Sequence, residues 1–282
     1  TAKSGGSGSG SREPVDWAGE QDLQAALEGL FLFVEEQCAG LFGDYDGGAT
    51  LSVCVDRPGV DLWVAHVGDS DVCLLDLARE EAEEEGVPAT ATTTVLTEDH
   101  SPLSMPEFRR MVALCPSARF EYDRQRKSAP ALPIYASCPE TEGEGGWLRN
   151  VVPKRNVYYK NRANDLATYV SEGGLGGQQG CSSLANTRAI GDFRMKQAVG
   201  LSAVPFVARH PPLASSQRLV LASDGFWDSW PVHELLQFCE LRRSFSAVVG
   251  SLESTHVAIT NKYFGSCSDD TCLFFVQPSE TP

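Results

Sequence analysis

The sequence has few basic residues for its length and no long apolar run. Its 282 residues contain 23 Lys and Arg against 38 Asp and Glu, which gives a net charge of −15 at pH 7. Nucleic-acid binding depends on clustered Lys and Arg, so this composition argues against a nucleic-acid partner. No apolar run approaches the roughly 20 residues that a membrane-spanning helix needs. We therefore expect neither a nucleic-acid-binding protein nor a membrane span.

Several short signatures are also missing, and each absence argues against a class of protein. The sequence has no Gly-x-Ser-x-Gly segment, which argues against an α/β-hydrolase. It has no Gly-Lys-Ser/Thr segment of a P-loop, which argues against an ATPase of that class. Its nine cysteines form no Cys-x-x-Cys pair and are odd in number. We therefore expect free thiols in a reducing compartment, the cytoplasm or the nucleus.

The order of apolar patterns predicts one large domain. Residues 1–16 are rich in Gly and Ser and are predicted to be a flexible linker, and residues 17–282 are predicted to form a single domain. Residues 115–183 show weak periodicity, and we interpret them as an irregular insertion. Strands are predicted at about 49–56, 61–67, 71–76, 93–97, 204–209, 217–223 and 271–276, and helices at about 22–39, 105–114, 231–241 and 245–263. Runs of strands followed by helices indicate sheets that are covered by helices.

Carboxylates stand where three of the predicted strands begin or end. Asp69 follows the apolar strand 61–67, Asp224 follows the strand 217–223, and Asp269 precedes the last strand. Each of them alone is explained as a turn residue. If the strands lie in stacked sheets, however, the three carboxylates can meet, and their mutual repulsion would require a cation between them. Hard oxygen ligands of this kind suit Mg²⁺ or Mn²⁺.

Six segments of the chain match, in order, the motifs of one enzyme family. They are residues 47–50 (GGAT), 67–70 (VGDS), 96–102 (LTEDHSP), 184–193 (LANTRAIGDF), 221–228 (LASDGFWD) and 268–270 (SDD). Together they resemble the metal-dependent protein serine/threonine phosphatases of type 2C. The resemblance covers roughly residues 23–276. It implies an α+β fold, a four-layer α-β-β-α sandwich of two mostly antiparallel sheets.

The resemblance also implies an activity and a metal site. A protein of this family hydrolyses phosphoserine and phosphothreonine in protein substrates through a water activated by two or three Mg²⁺ or Mn²⁺ ions, and the family default is a monomer. On this resemblance Asp224 is the central metal ligand and Asp269 binds the same ion. Asp69 helps to bind a further ion, with Asp228 as a candidate partner. The same resemblance assigns mainly structural roles to His100 and to Arg188, for which an ion pair with Asp192 is expected.

One family motif is not found in the sequence. The family carries an Asp-Gly-His-Gly-Gly segment and a phosphate-binding Arg before the strand that begins near Gly47, and residues 46–48 are only a superficial echo of that segment. We expect that a longer protein supplies these parts. The alternative is a catalytically inactive pseudophosphatase that acts as a protein-binding scaffold.

The predicted insertion contains one basic patch with aromatic residues inside it. Its basic residues are Lys154, Arg155, Lys160 and Arg162. The patch could recognise an acidic or phosphorylated partner, and an ordinary exposed loop is the alternative interpretation. The insertion falls where the family has a variable flap beside its cleft, so we expect these residues to lie near the site.

Overall fold

The computed structural model describes residues 20–42, 47–77, 91–123, 132–137, 146–150, 157–172, 183–242, 244–265 and 269–278. The helices are α1 (Glu20–Phe42), α2 (Met105–Leu114), α3 (Phe193–Val199), α4 (Asp224–Trp227), α5 (Val232–Arg242) and α6 (Phe245–Phe264). The strands are β1 (Gly48–Ala49), β2 (Leu51–Arg57), β3 (Asp61–Val67), β4 (Val72–Asp76), β5 (Thr92–Val95), β6 (Ala118–Tyr122), β7 (Tyr135–Ser137), β8 (Trp147–Arg149), β9 (Thr168–Glu172), β10 (Ser183–Leu184), β11 (Ile190–Gly191), β12 (Phe206–His210), β13 (Gln217–Ala222) and β14 (Leu273–Val276).

Two antiparallel sheets form the centre of the molecule. The first sheet has the strand order β12-β3-β2 and the second has the order β14-β13-β4-β5. Leu62 and Val64 of β3 pack against Val72 of β4 and Leu219 of β13, and all four side chains are buried. Alternate side chains of a strand point to opposite faces, so these residues form the layer between the two sheets.

Helices cover the outer faces of both sheets. On the first sheet, α1 buries Leu23, Leu27 and Phe31, which are spaced by one helical turn, against Trp63 and Ala65 of β3. On the second sheet, α5 and α6 pack against residues of β4 and β13. The predicted four-layer α-β-β-α sandwich is therefore confirmed. Within the described residues, we find no helix whose length and apolar character would let it span a bilayer.

Residues 115–183 are more regular than the sequence indicated. Their described part contains β6 to β9, and β6 and β9 pair with antiparallel register in a three-stranded sheet with β10. A separate apolar cluster fills this region and includes Phe108 and Met111 of α2 and Met195 and Val199 of α3. We call the region formed by β6–β10, α2 and α3 the small lobe. The prediction that this segment is irregular is wrong for its described part, because these short strands bury their apolar residues against helices outside the segment. That the segment is an insertion stays a prediction.

The small lobe joins the sandwich through a buried carboxylate. Glu107 of α2 accepts hydrogen bonds from Arg110 at 2.8 Å and from Arg188 at 2.6 Å, and a third from the hydroxyl of Thr187 at 3.0 Å. The two arginines lower the pKa of Glu107 to about 2, although its burial opposes that shift. Arg188 thus has the structural role that was expected, with Glu107 as its partner at these distances, where Asp192 had been predicted. The predicted linker, residues 1–16, lies outside the described residues.

Candidate functional site

One cleft of about 440 Å³ lies between the edge of the sandwich and the small lobe. Its acidic lining residues come from several segments and are Asp69, Asp71, Asp99, Asp165, Asp224 and Asp228. Lys160 is the only Lys or Arg among the described residues that line it. We call this the acidic cleft. Trp230, Pro231 and Val232 form an apolar part of its wall.

Asp69 is positioned by the turn that ends β3. The preceding residue, Gly68, has φ = +97°, and a Cβ at that position would lie 2.2 Å from the Cγ2 of Thr50. Both features require glycine, because a side chain would be strained by the backbone and would clash with β-sheet neighbours. The Gly68 N–H donates to Nδ1 of His100 at 3.3 Å, and the imidazole of His100 stacks on that of His66 at 4.5 Å. The histidine pair therefore supports the turn that holds Asp69.

Asp224 is positioned by the junction between β13 and α4. It is the first residue of α4, a four-residue helix that starts directly after β13 and Ser223. The next residue, Gly225, lies close to the backbone of Asp270. A Cβ at position 225 would be 2.5 Å from the carbonyl oxygen of Asp270. The hydroxyl of Ser223 also donates to that carbonyl, at 3.3 Å. The glycine thus permits a close backbone approach, which a turn alone would not require.

Lys160 lies between the two carboxylates that the sequence motifs singled out. Its Nζ is 3.3 Å from Oδ2 of Asp69 and 3.2 Å from Oδ2 of Asp224. Asp69 follows a strand of the first sheet and Asp224 follows a strand of the second, so one ammonium links the two layers. Burial alone would lower the pKa of Lys160, but the charges of Asp69, Asp228 and Asp224 raise it above its usual value.

Two further carboxyl groups of the cleft are poorly solvated. Burial raises the pKa of Asp228 to about 7; Lys160 opposes this shift, and the charges of Asp224 and Asp69 add to it. Burial likewise raises the pKa of Asp71 to about 6, although the Thr97 hydroxyl donates to it at 2.6 Å. Both shifts arise mainly from burial, and the charges of neighbouring carboxylates, among them Asp69, add to them.

The predicted metal ligands are brought together in part. Asp69, Asp224 and Asp228 line the same cleft. Asp269 lies in the segment whose next residue, Asp270, contacts Ser223 and Gly225, and it is not among the lining residues. Among the described residues no group of three or more His, Cys, Asp or Glu side chains is arranged to hold a metal ion. Carboxylate oxygens are donors of the kind that a divalent cation prefers, but in this arrangement the Lys160 ammonium lies between two of them.

The predicted basic patch divides into three parts. Lys154 and Arg155 lie outside the described residues. Lys160 enters the acidic cleft. Arg162 instead binds the sandwich: its guanidinium donates to the carbonyl of Ser229 at 2.6 Å and to both carboxylate oxygens of Glu234 at 3.0 and 2.8 Å. These contacts fasten the chain around Arg162 to the sandwich.

Sequence reasoning missed Asp71 and the central position of Lys160. Asp71 directly follows the motif at residues 67–70 that contains Asp69, so its place in the chain was a usable signal. Lys160 carried no such signal, because nothing in the sequence relates it to strands that lie far away along the chain. Contacts made in the folded chain, among them the pairing of Tyr159 with Leu166 and the hydrogen bonds of Arg162, bring it into the cleft.

Comparison with known proteins supports the same family that the motifs indicated. The family model described as Protein phosphatase 2C matches residues 160–255. A curated relative, "Probable protein phosphatase 2C 72" of Arabidopsis thaliana, is 26% identical over 240 residues, which are 83% of this chain and 56% of that protein. The chain thus spans little more than half the length of this curated relative.

Solved structures show the same fold. The serine-threonine phosphatase 2C of Toxoplasma gondii aligns with a TM-score of 0.57 at 18% identity, over 91% of this chain and 68% of that one. A sex determining protein of C. elegans aligns with a TM-score of 0.51 at 18% identity, over 93% of this chain and 47% of that one. The family match and the curated relative confirm the resemblance predicted from the sequence motifs, and the solved structures confirm the fold.

Proposed function

We propose that this chain, a relative of the protein phosphatase 2C family, belongs to a protein serine/threonine phosphatase that depends on Mg²⁺ or Mn²⁺. One observation supports it above the others. Asp69 and Asp224 follow strands of different sheets, yet both contact Lys160 and both line one cleft with Asp228. Carboxylates that converge in one cleft repel each other, and the single ammonium of Lys160 offsets only part of their charge, so a fold that only bound a partner would have no need for this convergence.

The proposed metal ligands are the four carboxylates identified from the sequence. Asp224 and Asp269 would hold one ion, and Asp69 would hold a further ion with Asp228. When bound, such ions supply Lewis acidity, which lowers the pKa of water and offsets the charge of a phosphate group. Carboxylate oxygens are the donors that Mg²⁺ and Mn²⁺ prefer. The remaining ligands would come from parts of the family motif that this sequence does not contain.

The chain's own residues fix the geometry of this cleft. The indole N–H of Trp227 donates to the carbonyl of Ala222 at 2.9 Å and to that of Asp71 at 3.2 Å, which ties α4 to the ends of β13 and β4. The histidine pair holds the backbone of Gly68. These contacts keep the Asp69 and Asp224 segments in place relative to each other, which is what a reaction that depends on orientation requires.

A cysteine-based phosphatase mechanism is disfavoured by burial. Cys73 and Arg79 have the five intervening residues that such enzymes use, and Cys73 lines the cleft. However, Cys73 is part of the strand β4 and is buried, and burial raises the pKa of its thiol to about 12. A thiol with such a pKa is not a thiolate at neutral pH and is a poor nucleophile.

The substrate and setting follow from the family as proposals. We propose that the protein acts on phosphorylated proteins and that it is a monomer in the cytoplasm or nucleus. The six cysteines in the described part of the chain are free thiols, which is compatible with a reducing compartment.

The proposal is tested by hydrolysis of a phosphoprotein and of a small aryl phosphate with the full-length protein. We expect activity only when Mn²⁺ or Mg²⁺ is supplied, and we expect Asp224→Asn to lower kcat/KM by at least about a hundredfold, because a central charged ligand is lost. Asp56→Asn removes an exposed carboxylate of β2 and serves as the matched control. Full activity of Asp224→Asn, or an inert metal-supplied protein, would favour the scaffold alternative instead.

A further inference from the structure

The acidic cleft already contains a cation that belongs to the chain. The Lys160 ammonium contacts Asp69 at 3.3 Å and Asp224 at 3.2 Å, and these are two of the carboxylates proposed to bind metal. The side chains of Lys160, Asp69 and Asp224 are 31%, 25% and 33% exposed, so the ion pairs lie at the mouth of the cleft, where a cation from solvent can reach them.

The position of Lys160 is set by the loop that carries it. We call residues 157–167 the Lys160 loop. Its two arms pair through Tyr159 and Leu166, and the Lys160 N–H donates to the carbonyl of Asp165 at 2.7 Å. Asn164 has φ = +63° at the tip, a left-handed conformation that asparagine tolerates better than most residues. The loop is therefore a tight turn with a defined shape.

Arg162 fastens this loop to the sandwich. Besides its bonds to Glu234 and Ser229, its guanidinium lies 4.3 Å from the ring centre of Tyr263 in α6. Its backbone N–H donates to the carbonyl of Asp228 at 3.1 Å. Because the anchor is two residues from Lys160, the ammonium is held at the mouth of the cleft by contacts that do not involve the carboxylates themselves.

We propose that Lys160 is a built-in competitor of the divalent cation: it neutralises Asp69 and Asp224 in the metal-free protein and must leave them before both can bind a metal ion. The proposal rests on the proposed function only for the identity of the metal site. An ammonium carries one positive charge and leaves the cleft with excess negative charge, whereas a divalent cation would compensate more of it. Lys160 therefore lowers metal affinity and stabilises the metal-free state.

The test is Mn²⁺ binding by the full chain, measured by calorimetry and by the loss of the free-Mn²⁺ electron paramagnetic resonance signal. We expect Lys160→Met to bind Mn²⁺ about five- to tenfold more tightly than the natural chain, a modest factor because the ion pairs are partly exposed. Arg109→Met removes one positive charge from an exposed position of α2 that does not line the cleft, and it should bind Mn²⁺ like the natural chain. Lys160→Gln is a second variant with a polar side chain and should resemble Lys160→Met.

A second readout does not depend on metal. In the presence of a chelator, the melting temperature of Lys160→Met should fall below that of Arg109→Met by a few degrees, because the carboxylates lose their only neighbouring cation among the described cleft residues. Addition of Mn²⁺ should remove this difference.

The outcomes separate this proposal from the proposed function. Equal or weaker Mn²⁺ binding by both Lys160 variants, while Asp224→Asn abolishes binding, would overturn the competition and leave the metal site intact. Absence of Mn²⁺ binding in the natural chain and in both Lys160 variants would overturn the competition, and the proposed function would fall with it if the full-length protein is also inert with metal. Tighter binding in the Lys160 variants together with an inert full-length protein would support the competition and count against the phosphatase.

Discussion

The two ends of strand β3 each carry an aspartate, and their surroundings are opposite. At the start of the strand, Asp61 is 1% exposed and accepts hydrogen bonds from Arg57 at 2.5 and 2.6 Å and from Arg209 at 2.7 Å. These bonds, with that from Arg57 first, hold the pKa of Asp61 well below its usual range. Two guanidinium groups surround one carboxylate, so the negative charge at this end of the strand is fully compensated.

At the other end the balance is reversed. Asp69 shares the single ammonium of Lys160 with Asp224, and Asp228 adds a third carboxylate to the same cleft. The fold supports this end with uncharged groups, since the neutral pair His66 and His100 holds the backbone. One strand can therefore carry a structural ion cluster at one end and a site with too few cations at the other. Excess positive charge marks the structural end, and excess negative charge marks the site.

The largest expected effect concerns the histidines behind the cation-deficient end. Burial is the main cause that lowers the pKa of His66 to about 4 and that of His100 to about 3. The folded protein therefore keeps both neutral while the unfolded chain takes up protons below about pH 6.5. We expect the free energy of unfolding to fall by about 3 kcal/mol for the pair between pH 6.5 and pH 5.

Urea unfolding at the two pH values measures this loss. His66→Gln should remove about half of the pH dependence, whereas His233→Gln, at an exposed position of α5, should leave it unchanged. A natural chain whose stability does not change over this interval would show that the pair is protonated or solvated in the fold.

The next effect concerns the Asp61 end of β3, where the negative charge is compensated. Asp61→Asn leaves two guanidinium groups without their carboxylate, and we expect a loss of about 2–3 kcal/mol at pH 7, less than for fully buried pairs because both arginines are partly exposed. Because the pKa of Asp61 is depressed, its contribution should be present above about pH 4 and should be lost as the pH falls further. Urea unfolding beside Asp56→Asn checks both points; a loss below about 0.5 kcal/mol would remove the contrast between the strand ends.

The smallest effect has the opposite sign. In chelator at pH 8, Asp228→Asn should stabilise the chain by about 1 kcal/mol, because it removes a poorly solvated charge beside two other carboxylates. The gain should grow as the pH rises from about 4 to about 7, since over this interval the unfolded chain ionises the carboxyl group and the folded chain does not. A loss of stability measured by urea unfolding would mean that Asp228 is a structural residue like Asp61.

Much of the sandwich was predictable because short stretches of the sequence specify its helices and strands. The one-turn spacing of Leu23, Leu27 and Phe31 predicted α1, and the predicted strand 61–67 matches β3. The small lobe was missed, because its strands have only two to five residues and bury only some of their side chains within their own segment. These strands are held in place by contacts with α2 and α3, which lie outside the segment in sequence.

By itself the sequence determined the resemblance to the protein phosphatase 2C family, the four-layer architecture and the choice of Asp69, Asp224 and Asp228, which line one cleft, because motif residues and the period of buried side chains are local properties of the chain. Only the tertiary structure decided which cation those carboxylates meet. The partners of Asp61 and Asp69 include Arg209 and Lys160, which are distant in sequence. Charge pairing acts over a few ångströms in space, so it depends on how loops are anchored and not on their order along the chain.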